Sequence, residues 1–316
     1  MKVVIAGGTG FLGRPLAAAL AADGHDVVIL SRSAGSQGAS ASRGAQGSRH
    51  SPRPGDPRPI AWTPNGDVGP WATEIDGAGA VVNLAGESIA AARWTAAHKQ
   101  RILESRVQAT RSLADAIRRA AAPPPVFVSG SAVGYYGPCG DQKITEEAPA
   151  GSDFLAQVCV QWEAEAARAA SNRTRVVAIR TGLPLEKDGG ALPQMLPPFR
   201  FGAGGPVGSG RQYWPWIHRD DWIAIVRWSI HTAAVMGPVN ATGPAPVTNA
   251  DFAKALGRAM HRPAFLPAPA FALRLLLGEM ADALLLSGQR AVPAKAERLG
   301  FTFRYRSVDD ALAAIF

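Results

Sequence analysis

A serine and two tyrosines stand together in "FVSGSAVGYYG" at residues 127–137. Ser131 carries a hydroxyl that could lie beside a substrate, and Tyr135 and Tyr136 carry phenols that could exchange protons. A free phenol has a pKa of about 10 and is a poor base unless a cation lies beside it. We predict that these three residues are catalytic. The alternative is that the tyrosines pack the loop and form turn hydrogen bonds.

Three glycines, Gly7, Gly10 and Gly13, lie between a short apolar run and leucines at helical spacing. In a dinucleotide-binding loop the first glycine permits a tight turn, the second lets a pyrophosphate approach, and the third lets the helix pack on the sheet. Free N–H groups at the helix start then bind the phosphates. A tight turn without a ligand is the alternative. The predicted cofactor contacts are Gly7, Thr9, Gly10, Phe11, Leu12 and Gly13.

The next apolar run ends in Ser31 and Arg32. A site for NAD usually has Asp or Glu there, which binds the ribose 2′-hydroxyl. A guanidinium beside a hydroxyl suits a 2′-phosphate instead, through charge-assisted hydrogen bonds. We therefore predict NADP(H) as the cofactor, and an arginine that is only solvated at the surface is the alternative.

Short apolar runs alternate with helical patterns over the first part of the chain. The runs are at 2–6, 26–30, 79–85, 125–131 and 175–182, and helical spacing is found at 95–121 and 153–170. Continuous apolar strands that alternate with helices indicate a parallel sheet covered on both faces. The predicted fold class is α/β, a Rossmann-type doubly wound sheet.

This alternation is broken twice. Residues 34–58 hold no aliphatic side chain larger than alanine and are predicted to form a disordered insertion. After residue 183 we predict a strand at 237–243 and helices near 222–233, 248–260, 269–287, 292–299 and 307–315. The predicted domains are a Rossmann domain at 1–183 and a smaller, mostly helical lobe at 184–316 that closes over the strand ends. Within the lobe, residues from about 216 to 242 return to the Rossmann domain.

Composition limits the class of protein. The 316 residues are 47% apolar and 18% charged, which allows a sizeable core. Of the net charge of +8, residues 34–58 carry +3 and the remaining +5 is scattered, which argues against nucleic acid as a partner and favours a small anionic ligand. Two cysteines, and six histidines without ligand spacing, predict no disulfide framework and no metal site. No apolar run is long enough to cross a membrane. We expect a cytoplasmic monomer or homodimer.

Several motifs, in order along the chain, are similar to those of one superfamily. They include "NLAGESI", "SRVQATRSL", "SGSAVGYYG", "RTGLPLEKDGGALPQML", "GSGRQYWPWIH" and "GPVNATGPAPVTNADFA". The chain resembles the extended short-chain dehydrogenase/reductases, closest to an atypical NAD-dependent epimerase/dehydratase-like branch with a carboxyl-terminal domain of unknown function. The resemblance implies that Ser131 polarises the substrate oxygen. The further cofactor contacts that it implies are Leu84, Ala85, Gly86, Arg106, Ser129, Leu183 and Pro184.

One feature of the superfamily is missing, the Tyr-x-x-x-Lys pair on the helix after the serine. With Glu163 as the anchor, its two positions fall on Leu155 and Cys159. Leucine has no proton to exchange, and a thiol on an apolar helix face is typically a core residue. The proton donors that remain are the serine and the two tyrosines, and Arg106 is the candidate for the cation beside a tyrosine.

Polar and aromatic residues after the run at 79–85 and in the Gly/Pro-rich segment predict substrate contacts. Aromatic faces with a few polar groups suit a sugar, a nucleotide or a flat carbonyl compound. Tryptophans that fill a domain seam are the alternative, and His218 is assigned to that seam. Asp221 is predicted to cap the helix at 222–233. The predicted substrate contacts are Glu87, Arg93, Trp94, Gln212 and Trp216.

The leading hypothesis is an NADP(H)-binding oxidoreductase or epimerase-like enzyme that acts on an unidentified small molecule, a sugar nucleotide or a carbonyl compound. The alternative is a sensor or regulatory protein that binds NADPH and has lost catalysis, which the missing Tyr and Lys favour. RNA binding through the insertion is a third hypothesis.

Overall fold

The computed structural model describes residues 1–33 and 55–316. Most of the predicted insertion, residues 34–54, lies outside the described residues. Arg58, the last residue of the insertion predicted at 34–58, begins a strand that the apolar pattern did not predict. That strand has the sequence "RPIA", and its proline fits there because it lies at the edge of the sheet.

The elements alternate between strands and helices as predicted. The strands are β1 (Lys2–Ala6), β2 (Asp26–Ser31), β3 (Arg58–Ala61), β4 (Ala80–Asn83), β5 (Val126–Ala132), β6 (Lys143–Ile144), β7 (Arg175–Thr181), β8 (Leu183–Leu185), β9 (Tyr213–Trp214), β10 (Trp216–His218), β11 (Gly237–Ala241), β12 (Val247–Thr248) and β13 (Arg290–Ala291). The helices are α1 (Gly13–Ala22), α2 (Ala96–Arg119), α3 (Phe154–Ala167), α4 (Leu192–Arg200), α5 (Arg219–His231), α6 (Asn249–Ala259), α7 (Ala270–Leu277), α8 (Glu279–Ala281), α9 (Ala294–Arg298) and α10 (Val308–Ile315).

Among the described residues, seven strands form one sheet in the order β11-β7-β5-β4-β1-β2-β3. The pairs β1–β2, β1–β4, β2–β3 and β4–β5 are all parallel. Strand β4 is buried at every residue, which explains why it is a continuous apolar run rather than an alternating one. The order reverses direction after β1, as in doubly wound nucleotide-binding sheets. The predicted Rossmann-type fold class is confirmed.

The chain divides into two compact units. The first is Met1–Gly86, Glu104–Gly130 and Ala164–Val177, and the second is Glu87–Leu103, Ser131–Glu163 and Ala178–Phe316. The boundary predicted at residues 183 and 184 stays a prediction.

The first unit has a core of aliphatic residues from its strands and from α2. Val4, Val28, Val81 and Phe127 are fully buried in it, and Trp62 packs edge-on against another tryptophan at 5.4 Å between ring centroids. This core holds β1 and β4 side by side, so the loops that follow them leave from neighbouring positions.

The second unit has a core of its own, in which α6 and α10 pack together. Phe252, Leu256 and Leu312 are at most 1% exposed there. Helix α4 was missed because of Pro197 and Pro198, since interior prolines remove helix hydrogen bonds. Its residues at spacings of four and three are nevertheless buried, so packing compensates for the lost bonds.

The helix predicted at 269–287 is interrupted. Gly278 has φ +64°, a conformation that ends α7 and favours glycine. The short helix α8 and a single π-type turn at Asp282–Leu286 follow it.

The predicted cap of α5 was wrong. The helix begins at Arg219, and the side chain of His218 caps it by accepting a hydrogen bond from the Asp220 N–H. Asp221 lies inside the first turn, where its carboxylate accepts the backbone N–H groups of Arg304 and Tyr305 at 2.8 and 3.0 Å. Because the Asp221 carboxylate accepts hydrogen bonds from these two distant N–H groups, it does not cap its own helix.

Candidate functional site

The glycine loop of the first unit joins β1 to α1 with little free space. Gly7 has φ +79°, and a side chain there would lie 2.7 Å from the backbone of Leu84. A side chain on Gly13 would overlap the Gly7 carbonyl oxygen, whereas one on Gly10 would meet only that oxygen at 3.4 Å. Gly7 and Gly13 are therefore required by the fold, and Gly10 leaves open space above the loop.

No side chain caps the first turn of α1. Leu12 at the cap position makes no side-chain hydrogen bond, and the first turn holds no acidic residue. Pro15 fits in this turn because the first four N–H groups of a helix have no partner within it. The Arg14 N–H donates to the Gly10 carbonyl at 3.0 Å and Pro15 has no N–H, so the N–H groups of Leu12 and Gly13, together with the helix dipole, make this end of α1 a suitable anion site.

Two arginines of the first unit belong to segments near this loop, one in α1 and one directly after β2, the strand that pairs with β1. Arg32 follows β2 and is exposed, and no ion pair to it is found among residues 1–33 and 55–316. Next to it, the Ser31 hydroxyl contacts the Ser33 hydroxyl at 3.1 Å. Arg14 was missed from the sequence: it is in the first turn of α1, and its guanidinium donates to the Thr9 carbonyl at 3.4 Å. Its position directly after Gly13 could have identified it from the sequence as a second cation near the phosphates.

The end of β4 brings a second set of predicted residues to the loop. Leu84 donates its N–H to the Ala6 carbonyl at 2.8 Å, which places Leu84 and Ala85 against Gly7. A side chain on Gly86 would lie 3.1 Å from the Arg106 guanidinium carbon, so the missing side chain leaves room for that group. Ser129 is buried in β5.

One buried polar residue below this set was not predicted. Asn83 is fully buried and donates to the Thr110 hydroxyl at 2.8 Å, and its side-chain oxygen accepts the Ala85 N–H at 3.1 Å. Thr110 in turn donates to the Arg106 carbonyl at 2.7 Å. This chain of hydrogen bonds ties the turn after β4 to helix α2.

In the second unit, Ser131 is bound to a carboxylate. Its hydroxyl donates to Glu163 at 2.6 Å, and Arg180 donates to both oxygens of that carboxylate at 2.8 and 2.9 Å. Arg180 is 3% exposed. Burial by itself would lower the pKa of Arg180, but the ion pair with Glu163 outweighs it and raises that pKa. Charge-assisted, bidentate pairs of this kind hold both side chains firmly.

Arg180 also contacts both tyrosines of the motif. Its guanidinium carbon lies 3.4 Å from the centre of the Tyr135 ring, and its Nη1 donates to the Tyr136 hydroxyl at 2.9 Å. A desolvated cation over an aromatic face contributes about 2 kcal/mol. Arg180, rather than Arg106, is therefore the cation that contacts the two tyrosines of this motif.

The Tyr136 hydroxyl is buried and fully used. It donates to the Asn240 side-chain oxygen at 2.7 Å while it accepts from Arg180, and burial raises the pKa of Tyr136 to about 12. Glu146, also buried, accepts the backbone N–H groups of Asn240 and Lys295 at 3.1 Å. The arrangement explains Tyr136 as a structural residue and makes it a poor proton donor.

The two positions of the missing pair are apolar. Leu155 packs on Gly134, where a side chain would lie 3.3 Å from the leucine Cβ. Cys159 is 4% exposed. Both therefore lie in packed surroundings of the second unit.

The predicted substrate residues separate into two groups. Glu87 pairs with Arg101 at 3.2 Å, and Trp94 donates its indole N–H to the Ile89 carbonyl and packs edge-on against Phe154. Arg93 lies against Gly278, at the end of α7. These three remain partly or fully exposed.

Gln212 and Trp216 are used inside the protein instead. The Gln212 amide donates to the carbonyls of Val207 and Leu285, at 3.0 and 2.8 Å. Trp216 is fully buried and donates to the Ala245 carbonyl at 2.9 Å. A substrate could not reach the Trp216 ring, because packing surrounds it. His218 is likewise buried, with its ring 4.0 Å from that of Tyr305.

Leu183 and Pro184, two of the predicted cofactor contacts, lie in β8. This strand pairs in parallel with β10, and the Leu183 N–H donates to the Pro215 carbonyl at 2.8 Å. Both residues are only half-buried, which leaves part of each accessible.

Two kinds of feature are absent from the described parts of the chain. No group of three or more potential metal ligands is found there. None of the helices in residues 1–33 and 55–316 has the length and apolar character that a membrane span requires.

Known proteins similar to this chain share its whole length. An epimerase family protein of Mycobacterium bovis, Mb2239, is 42% identical over 98% of this chain and 96% of its own, and the chloroplastic SDR39U1 homologue of Arabidopsis thaliana is 40% identical over 100% and 86%. The crystal structure of human epimerase family protein SDR39U1 with NADPH has a TM-score of 0.86 at 35% identity and covers 100% of this chain and 99% of that one. MoeE5 in complex with UDP-glucose and NAD shares the fold, with a TM-score of 0.75 at 19% identity.

Two family models match the chain. Residues 268–315 match a domain of unknown function, DUF1731. The matched segment of this chain includes α7 and α10. Residues 3–240 match the model described as the NAD dependent epimerase/dehydratase family, which includes the glycine loop and the Ser131 motif. The chain therefore belongs to the NAD dependent epimerase/dehydratase family, as an atypical extended short-chain dehydrogenase/reductase with a DUF1731 carboxyl-terminal domain.

Proposed function

We propose that this protein binds NADP(H) and is an oxidoreductase or epimerase-like enzyme for a small molecule, a sugar nucleotide or a carbonyl compound. The observation that carries the proposal is the loop from Gly7 to Gly13, which is open above Gly10 and leads into an uncapped helix. The similarity to human SDR39U1, whose crystal structure is with NADPH, supports the same cofactor.

The residues present fit this cofactor. Gly10 leaves the space through which a pyrophosphate reaches the first N–H groups of α1. Arg32, exposed beside Ser31, would hold the 2′-phosphate, and Arg14 adds a second positive charge at the same helix end. No carboxylate occupies the end of β2, where one would repel that phosphate.

The second unit supplies polar groups for the reaction. When bound, NADP(H) supplies hydride exchange. Ser131 would position a substrate oxygen, and Tyr135 would exchange its proton, since the Tyr136 hydroxyl is buried and already bonded on both sides. Glu87, Arg93 and Trp94 remain the proposed substrate contacts.

The cofactor proposal predicts a selective effect of Arg32→Ala. We expect NADPH binding to weaken by about 1.5–3 kcal/mol, because a charged hydrogen-bonding partner of the 2′-phosphate is lost, and NADH binding to stay unchanged. Isothermal titration calorimetry with both nucleotides measures this. Arg119→Ala, at the end of α2, removes the same charge from an exposed site and should leave both affinities unchanged. Equal losses for NADPH and NADH in the Arg32 variant would overturn the proposed specificity.

A sensor or regulatory protein that binds NADPH without turnover is the second candidate. The observation that favours it is that Leu155 and Cys159 replace the usual proton-exchange pair. An assay of NADPH oxidation with a panel of carbonyl compounds and sugar nucleotides distinguishes the enzyme from the sensor. Turnover that Ser131→Ala abolishes supports the enzyme, and tight NADPH binding without turnover across the panel supports the sensor.

A further inference from the structure

Proton exchange by a phenol near neutral pH requires a nearby positive charge, because a cation stabilises the phenolate. At the position of the usual lysine this chain has Cys159, a buried thiol. The charge must therefore come from another element. In the second unit it is Arg180, at the end of β7, whose guanidinium lies over the face of Tyr135.

The guanidinium is fixed in this position. Glu163 accepts hydrogen bonds from its Nε and Nη2, and the Tyr136 hydroxyl and the Glu146 carbonyl accept from its Nη1 at 2.9 and 3.3 Å. Since Arg180 is 3% exposed, solvent screens its charge only weakly. Its planar face is left for the Tyr135 ring, 3.4 Å away.

The two adjacent tyrosines are not equivalent. The Tyr136 hydroxyl is bonded to Asn240 and to Arg180, and its ring is 4% exposed. The Tyr135 ring is half-buried, and no hydrogen bond to its hydroxyl is found among the described residues. Tyr135 is therefore the phenol that a ligand or a reagent could reach.

The same ion pair determines the role of Ser131. A serine hydroxyl has one proton, and that of Ser131 points to Glu163 at 2.6 Å. The hydroxyl thus presents lone pairs to a ligand, and a ligand hydroxyl beside it would donate. Glu163 and Arg180 together orient Ser131 and the ring of Tyr135.

We propose that Arg180, held by Glu163, is the positioning residue that keeps the Tyr135 phenol reactive and the Ser131 hydroxyl oriented, in place of a lysine that this chain does not have. The inference rests on the proposed function for its role in turnover. The contact between Arg180 and Tyr135 can be tested without cofactor or substrate.

Tetranitromethane nitrates tyrosine through its phenolate, so the nitration rate at a fixed pH of about 8 reports how readily each phenol reacts. The chain has four tyrosines. Tyr305 contacts His218 and Arg304 but not Arg180, so the Arg180 variants leave its surroundings unchanged and it is the internal reference. Rates are measured for each residue by mass spectrometry of the full-length protein. In the wild type we expect Tyr135 to react fastest and Tyr136 slowest.

The variants distinguish the effect of the Arg180 charge on Tyr135 from the effect of Arg180 packing. Arg180→Gln leaves the Glu163 carboxylate buried without its partner, so the neutral pair Glu163→Gln with Arg180→Gln is the main variant. We expect the Tyr135 rate, relative to Tyr305, to fall about tenfold or more in that pair, and to stay within about threefold of the wild type in Arg180→Lys, which keeps the charge. Circular dichroism and NADPH titration verify folding.

Two results would overturn the inference: a relative Tyr135 rate that is unchanged in the folded neutral pair, or a wild type in which Tyr136 reacts faster than Tyr135. The comparison of Tyr135 and Tyr136 nitration rates in the wild type tests the inference even if a variant does not fold. If the panel identifies a substrate, kcat should fall by about 10²- to 10³-fold in the neutral pair with KM little changed. Failure to bind NADPH would overturn the proposed function and leave the nitration result standing.

Discussion

Single side chains in this protein are placed by the polar groups that burial forces them to satisfy. Asp221 accepts two backbone N–H groups from residues more than eighty positions away, and burial raises its pKa although those hydrogen bonds oppose the shift. Arg180 can be buried because its two hydrogen bonds to the Glu163 carboxylate offset the loss of hydration. A charged residue in such a place has a structural role, and any chemical role must use the atoms that its partners leave free.

At this scale Tyr136→Phe tests the buried hydroxyl. The substitution leaves the Asn240 side-chain oxygen without its donor. We expect the free energy of unfolding at pH 7 to fall by about 1–3 kcal/mol, as urea unfolding measures, because a buried polar atom is left unsatisfied. Tyr213→Phe, at a partly exposed ring, is the control and should change little.

The same hydroxyl predicts a pH dependence. Burial raises the pKa of Tyr136 from 10.0 to about 12, so the folded state holds this proton more tightly than the unfolded state does. The stability that it contributes is fully present below pH 10 and is lost as the pH rises towards 12. We expect the wild type to lose on the order of 1 kcal/mol per pH unit more than Tyr136→Phe over that range. Parallel stability curves between pH 9 and 11 would contradict this assignment.

At the scale of elements, the strand–loop–helix unit of β1 and α1 separates the needs of the fold from those of a ligand. Gly7 and Gly13 are required because β4 and the loop itself fill the space around them. Gly10 is not required by any protein contact closer than 3.4 Å. Gly10 is therefore the glycine of this loop that we assign to the proposed phosphate contact.

This distinction predicts opposite results for two similar substitutions. We expect Gly13→Ala to lower the free energy of unfolding by about 1–3 kcal/mol, because its Cβ overlaps the Gly7 carbonyl oxygen. Gly10→Ala should leave stability nearly unchanged and weaken NADPH binding, because its methyl group occupies the phosphate approach. Thermal unfolding and calorimetry on the same two variants measure both effects. Loss of stability in Gly10→Ala with normal NADPH affinity would contradict the prediction.

At the scale of the whole molecule, the two units each bury a core, and the second also exposes large apolar side chains. Phe201, Phe265, Phe271, Leu275 and Leu276 are between 68% and 87% exposed. Helix α7 buries none of its residues, although most of them are apolar. This helix lies within residues 268–315, which match DUF1731.

Exposure predicts how these leucines respond to substitution. Leu275→Gln with Leu276→Gln should change the free energy of unfolding by about 0.5 kcal/mol or less, because no packing is lost, and should reduce the binding of a hydrophobic dye. Leu256→Gln, at a leucine that is 1% exposed in α6, is the matched control and should cost about 3 kcal/mol or more. Chemical denaturation measures the free energy of unfolding of both variants. A large loss in the α7 variant would show that these side chains are packed.

Periodicity alone predicted most of the fold. The apolar runs became β1, β2, β4, β5 and β7, and the helical patterns became α2, α3, α6 and α10 within a few residues of the predicted ends. Strand β3 and helix α4 were missed because their prolines oppose the local pattern, and only the sheet edge and core packing permit them. The glycine loop was predictable because its three glycines and its helix are contiguous in the chain.

The sequence by itself determined the strands, the helices and the glycine loop, since these depend on residues close together along the chain. The tertiary structure decided which tyrosine is buried, where the proton of Ser131 points and which arginine lies beside Tyr135. Glu163 and Arg180 are 17 residues apart and belong to a helix and a strand. Hydrogen bonds and burial join such residues only after the chain has folded, so no spacing rule could identify the pair.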